Sequence, residues 1–227
     1  GRRLCAVGQA VIEGECMKRN TLLIILMSSC LPVAHARCAP AAPVHVLSSN
    51  TYVTEWLLCG PFPNLMDKAA GRRAGYDTDF LEAIGGEAGC RPTNGMVVTH
   101  GGVTRVFRPL GPAQGKIDLA AVYSNATYIA AYLYAEIASP VVQTGYFHLG
   151  ADDGAKVYVN GALVDARYAE RGLREHDTIF PVVLQRGLNP LLAKIEQGIG
   201  GYGLVLEALD RAHHAAYVTQ ALPATVS

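Results

Sequence analysis

Between Tyr52 and Leu209 the chain is a series of short runs rich in Val, Ile, Leu and Tyr, each closed by a cluster of Gly, Pro, Asn or Asp. Runs of this length suit strands, and regular turn punctuation without long helices between them limits the fold to packed antiparallel sheets. Candidate strands fall at 52–58, 96–99, 103–108, 117–123, 128–137, 146–150, 156–159, 162–164, 178–184, 191–196 and 202–209. Only 78–84 reads as a helix, with Phe80, Leu81 and Ile84 at helical spacing and Gly85-Gly86 to stop it. The expected fold is all-β, an antiparallel β-sandwich or jelly roll with one short helix.

Two segments sharpen this expectation. The alanines of 128–137 would suit a helix, but the alternation decides for a strand: Ile129, Ala131, Leu133, Ala135 and Ile137 share one face, and Tyr128, Tyr132, Tyr134 and Glu136 the other. The first face is core, and the tyrosine face is read as a second packed layer rather than a sugar-stacking platform. Asn160-Gly161 lies between Lys156-Val157-Tyr158-Val159 and Ala162-Leu163-Val164. It supplies the two positive φ angles of a tight hairpin, with Val157 and Val159 on one face and Tyr158 on the other.

The beginning of the chain has a different character. Its first 50 residues hold none of the 17 aromatics but four of the six cysteines, a poor composition for a core. Met17 leads into Lys18-Arg19, the apolar run Leu22 to Met27 and the small-residue site Ala34-His35-Ala36. That is the order of a secretory signal peptide. The expected division is a translated leader at 1–16, a signal peptide at 17–36, a flexible lead-in at 37–50, a sandwich at 51–210 and a polar tail at 211–227. Leu26-Met27-Ser28-Ser29-Cys30 approaches a lipobox, so a lipid anchor at Cys30 is the alternative to free export. The expected location is periplasmic, cell-surface or extracellular. Nineteen basic residues balance nineteen acidic ones, which argues against a nucleic-acid partner. No apolar run reaches the roughly 20 residues of a membrane span.

A family resemblance runs from Trp56 to Leu209. Trp56-Leu57-Leu58-Cys59-Gly60-Pro61-Phe62-Pro63-Asn64 resembles the opening strand and loop of a β-sandwich module of exported bacterial proteins, often attached to glycoside hydrolases. Asp79-Phe80-Leu81 with Gly85-Gly86-Glu87, the stretch from Gly145 to Gly161, and Gly187-Leu188-Asn189-Pro190-Leu191-Leu192-Ala193-Lys194-Ile195 resemble the same module in the same order. Phe107 and Tyr202 stand where that module usually has tryptophan. Asp152-Asp153-Gly154 is also similar to a stretch of the protective-antigen-like sugar-binding sandwiches, in some of which paired aspartates hold a calcium ion that chelates sugar hydroxyls. The resemblance implies a non-catalytic binding module, with a glycan or a secreted enzyme as partner. The alternatives are a structural or protein-interaction sandwich and, more remotely, a small hydrolase.

Asp152 and Asp153 are the first candidate site residues, since adjacent carboxylates on a tight loop would begin a calcium cage, with Asn160 or Asp177 as further ligands. The simpler reading has one aspartate capping the turn. Tyr158 is the expected aromatic for stacking on a sugar, with Asp152, Asp153 and Asn160 accepting or donating around it. Lys194 and His148 read as outward strand positions, and His213-His214 as part of the polar tail. The dispersed Glu82, Glu87, Glu136, Glu170 and Glu196 occupy no recognisable catalytic setting, and no nucleophile elbow, zinc-protease motif or phosphate loop occurs. Catalysis is therefore not expected. Cys59 and Cys90, the two cysteines of the folded region, are expected to form a disulfide after export.

Overall fold

The computed structural model describes residues 41–47 and 52–221. The expected leader, signal peptide, Cys30 and Cys38 lie outside the described residues. In chain order the strands are β1 (Val44–Val46), β2 (Trp56–Pro63), β3 (Met66–Asp67), β4 (Arg72–Arg73), β5 (Val97–His100), β6 (Val103–Val106), β7 (Arg108–Leu110) and β8 (Lys116–Asp118). There follow β9 (Ile129–Ser139), β10 (Gln143–Asp152), β11 (Ala155–Val159), β12 (Ala162–Arg167), β13 (Thr178–Leu184), β14 (Gly187–Gln197) and β15 (Gly203–Leu209). Single turns of helix form α1 (Ala74–Asp77), α2 (Gly86–Gly89) and α3 (Leu119–Val122), and a longer helix, α4, spans Arg211–Ala221.

The strands form an antiparallel β-sandwich, as expected. One sheet runs β12-β11-β14-β9-β2-β7, with β1 pairing β9 in parallel, and the facing sheet runs β13-β10-β15-β8. The register of β9 against β14 accounts for the alanines of β9. Leu133 sits opposite Ala193, Ala135 opposite Leu191 and Ala131 opposite Ile195, so each large side chain meets a small one. These residues pack with Trp56, Phe147, Leu149, Leu204 and Leu206 into the core between the sheets. Asn160 and Gly161 take φ values of 52° and 83°, both positive, as their hairpin requires.

The seven-strand sheet is covered on its second face as well. The segment from Asn64 to Phe107, which carries α1, α2 and the β5–β6 hairpin, lies over it, and Leu57, Phe62, Phe80, Leu81, Val98, Phe107, Tyr132 and Tyr134 form a second apolar cluster. The tyrosine face of β9 is thus a packed layer at Tyr132 and Tyr134, whereas Tyr128 precedes β9 with φ 54° and is exposed. Lys194, read as a solvated position, is fully buried there. Its ammonium donates to the carbonyls of Tyr76 (3.1 Å) and Thr78 (2.5 Å) and to Glu87 Oε1 (2.8 Å). Glu87 also accepts from the hydroxyls of Tyr132 (2.7 Å) and Tyr158 (2.6 Å). Burial alone would raise the Glu87 pKa, but Lys194 and the two hydroxyls outweigh it and hold the carboxyl below its usual 4.5.

Three further expectations are corrected, and parts of the lead-in and tail take on regular structure. The helix at 78–84 does not form: Asp79 accepts the N–H groups of Leu81 (2.8 Å) and Glu87 (2.9 Å), competing with helical bonding, and only Glu82–Ile84 makes a 3-10 turn. The strand expected at 117–123 stops at Asp118, whose side chain accepts from Ala121 N (3.0 Å) and caps α3. Lead-in residues Val44–Val46 pair with Glu136–Ala138, and part of the tail is helical as α4. Cys59 and Cys90 are buried free thiols in the second cluster rather than a disulfide. Burial pushes both pKa values up to about 12, with Cys90 adding to the shift at Cys59.

Removing one partner of the Lys194–Glu87 pair strands the other charge in an apolar layer. Glu87→Leu is expected to lower unfolding stability in urea by about 3–5 kcal/mol, and Glu87→Leu with Lys194→Met to recover most of that loss. A double variant no more stable than Glu87→Leu would show that the pair is not coupled.

Candidate functional site

Asp152, Asp153 and Gly154 form the corner at which the chain leaves β10 in one sheet and enters β11 in the other. The corner is clamped to β14 by Asp153 N donating to Glu196 O (3.0 Å) and Glu196 N donating to Gly154 O (2.9 Å). Gly154 is required by close approach, since a Cβ there would stand 2.8 Å from Glu196 Oε1. The Asp152–Asp153 peptide is cis. Both aspartates are largely buried, but their surroundings differ.

Asp153 is saturated by donors of the protein itself. Its oxygens accept from Gly198 N (2.8 Å), Arg171 N (3.1 Å) and Arg73 Nη1 (3.4 Å). Arg73 comes from β4 in the covering segment and is held chiefly by Glu196, at 3.0 Å and 2.9 Å, with its other terminal nitrogen on Glu170 (2.9 Å). Asn64 adds a donor to Glu196 at 2.6 Å. The Arg73 guanidinium thus supplies positive charge beside Asp153 Oδ2. Asp177, a further expected calcium ligand, is paired with Arg171.

Asp152 makes no ion pair among the described residues. Burial and the neighbouring Asp153 raise its pKa, opposed by the Leu173 N–H and by Lys116. It lines a polar cleft of about 200 Å³ with Lys116, Asp118, Asn125, Gly200 and Gly201. The glycine loop keeps the cleft open, because a Cβ at Gly201 would run into the Asp152 carboxylate. Carboxylates, an amide, an ammonium and bare backbone in one concavity match a small ligand rich in hydroxyl groups.

The four residues expected to form one sugar site do not converge. Tyr158 points under the covering segment and donates to Glu87, on the face opposite the sandwich core. Asn160 serves its turn, donating to Asn189 Oδ1 at 2.8 Å. Asp152 is the member that reaches the cleft. Sequence reading missed Asp118, brought beside Asp152 by pairing of β8 with β15, and Asn125, which lines the same cleft from the turn after α3. It also missed the Arg73–Glu196 pair, whose one signal was a charged residue two positions from Lys194 within an otherwise apolar strand.

No family model and no curated protein sequence matches the chain. Solved structures with a similar course of chain include an anti-sigma factor domain-containing protein, with 15% identity over 38% of this chain and 30% of that one and a TM-score of 0.34. Another is the β-glucosidase from Kluyveromyces marxianus, with 13% identity over 54% of this chain and 16% of that one and a TM-score of 0.42. A third is the PA14 domain of the antifreeze protein MpAFP, with 20% identity over 35% of this chain and 40% of that one and a TM-score of 0.28. The matches therefore span well under half the length of each of these proteins.

The two aspartates should respond differently to loss of what surrounds them. Arg73→Ala leaves Glu196 and Asp153 buried without their cation and is expected to cost about 3–5 kcal/mol of unfolding stability. Asp152→Asn, which breaks no ion pair, is expected to cost less than about 1 kcal/mol. Equal losses in denaturant titrations would place Asp152 in the structural network and not in a free cleft.

Proposed function

We propose that the chain is a non-catalytic, exported carbohydrate-binding module, accessory to a secreted enzyme, that takes its ligand in the cleft beside Asp152. The observation that carries this reading is the Asp152 carboxylate, without an ion-pair partner among the described residues, lining a polar concavity with Asp118, Asn125 and Lys116. Vicinal hydroxyls of a sugar would donate to Asp152 and Asp118, while Asn125 and Lys116 donate to ring or hydroxyl oxygens. Recognition in this cleft rests on hydrogen bonds without a stacked aromatic, because Tyr202, its one aromatic, is buried. The signal-like leader supports export, and the absence of recognisable catalytic motifs supports a binding role.

A second reading, a protein-interaction sandwich, has its own support at the opposite end of β10. There the exposed Val141, Val142, Val183 and Leu188 crown the turns that join the sheets. The two readings separate experimentally. A glycan array probed with the full chain is expected to return a defined set of sugars, with Asp152→Asn weakening binding by about 10-fold or more, as loss of a charged hydrogen bond implies. Sugar binding unchanged by Asp152→Asn contradicts the cleft assignment, and an empty array together with a partner lost on Val142→Asp favours the interaction reading.

A further inference from the structure

A second constellation lies on the outer face of the four-strand sheet, away from the Asp152 cleft. On β10, Phe147, Leu149 and Ala151 point into the core, so His148 points outward, yet it is only 1% exposed. Three elements cover it. Glu207 is its cross-strand neighbour on β15, His176 comes from the loop before β13 with φ 54°, and α4 lays His214 and Tyr217 over it. Tyr217 packs its ring 4.6 Å from His148 and 4.7 Å from His176, and Tyr146 stacks on His214 at 3.9 Å. The adjacent histidines of the helix point apart: His213 turns back to Asp210 (2.7 Å), and His214 turns to His148.

The donor atoms converge on one point. His148 Nδ1 lies 3.0 Å from His176 Nδ1 and 3.8 Å from Glu207 Oε2, and His176 Nδ1 lies 3.3 Å from Glu207 Oε2. A circle through atoms so spaced has a radius of about 2.0 Å, the bond length of zinc to imidazole nitrogen or carboxylate oxygen. The remaining nitrogen of His148, Nε2, is 3.0 Å from His214 Nδ1. When Nε2 carries the proton and donates it to His214, Nδ1 is left as a lone pair aimed at the other two acceptors. A single proton on His176 satisfies one of these contacts, whereas a metal ion satisfies all three. Two imidazoles and one carboxylate, with a fourth position left for water, suit a borderline transition metal and not calcium or magnesium, which prefer oxygen.

We propose that His148, His176 and Glu207 bind one zinc ion or a similar divalent transition metal, and that His214 is the positioning residue that sets the His148 tautomer. The ion would tie β10, β15 and the loop before β13 together beneath α4. This site is independent of the carbohydrate reading, and neither stands or falls with the other.

The test is calorimetric titration of zinc chloride into the untagged full chain after chelator treatment, with cobalt(II) as a spectroscopic stand-in. One zinc per chain is expected, a rise in Tm with zinc, and a visible cobalt band of four-coordinate character. His176→Ala and Glu207→Gln, both at partly exposed positions, are each expected to weaken binding by about 10-fold or more, and His214→Ala by about 10- to 100-fold with an altered cobalt spectrum. His213→Ala should bind as the parent does, and calcium and magnesium should not compete. Circular dichroism of each variant establishes that it is folded. Absence of zinc uptake by the parent chain, or equal uptake by folded His176→Ala and Glu207→Gln, overturns the proposal.

Discussion

Two buried ion pairs on one strand organise this structure. On β14, Leu191, Ala193 and Ile195 face the core between the sheets, and Leu192, Lys194 and Glu196 face the other way. In a sandwich of two layers that second face would meet water. Here it meets the segment from Asn64 to Phe107, which brings Glu87 to Lys194 and Arg73 to Glu196. Charges at depth are costly unless paired and hydrogen-bonded, so each pair is strong only with its partner in place. The hydroxyls of Tyr132 and Tyr158, the amide of Asn64 and the carbonyls of Tyr76 and Thr78 supply much of that hydrogen bonding, and Arg73 Nε has no partner among the described residues.

This covering layer determines where a ligand has access. It buries the face on which Tyr132, Tyr134 and Lys194 stand and partly covers Tyr158, so these rings form no open aromatic platform. Through Arg73 it also reaches the corner at Asp153 and neutralises one of the two adjacent aspartates. The cleft beside Asp152 stays open at one end of the sandwich, while α4 closes over His148 on the outer face of the four-strand sheet. Both places gather polar groups from strands distant in sequence.

Much of the sandwich was legible in the sequence because strand periodicity is a local property. The alternation of Ile129 to Ile137 assigned both faces of β9 correctly, and Asn160-Gly161 placed its hairpin. What alternation cannot tell is whether an outward face is wet. Lys194 and His148 alternate out of the core and are nevertheless buried, one beneath the covering segment and the other beneath α4. At 78–84 the Asp79 side chain takes the N–H groups of Leu81 and Glu87 in place of helical bonding, and the carbonyl of Thr78 accepts from Lys194, 116 residues away. Among the expected residues Asp152 lines the cleft, and a paired aspartate at a turn is a local signal that a sequence displays. Asp118 and Asn125 carry no such signal, because the first nears Asp152 through the pairing of β8 with β15 and the second through the turn that follows α3.

The central claim is that the segment from Asn64 to Phe107 is an integral layer of the fold. Native-state amide hydrogen exchange tests it most directly. Amides of β9 and β14 and the bonded amides of the covering segment, such as Cys90 N and Phe107 N, should exchange together in the slowest class, through global unfolding alone. Covering-segment amides that exchange orders of magnitude faster, while β9 and β14 stay protected, would mean a loosely attached flap and would contradict the account.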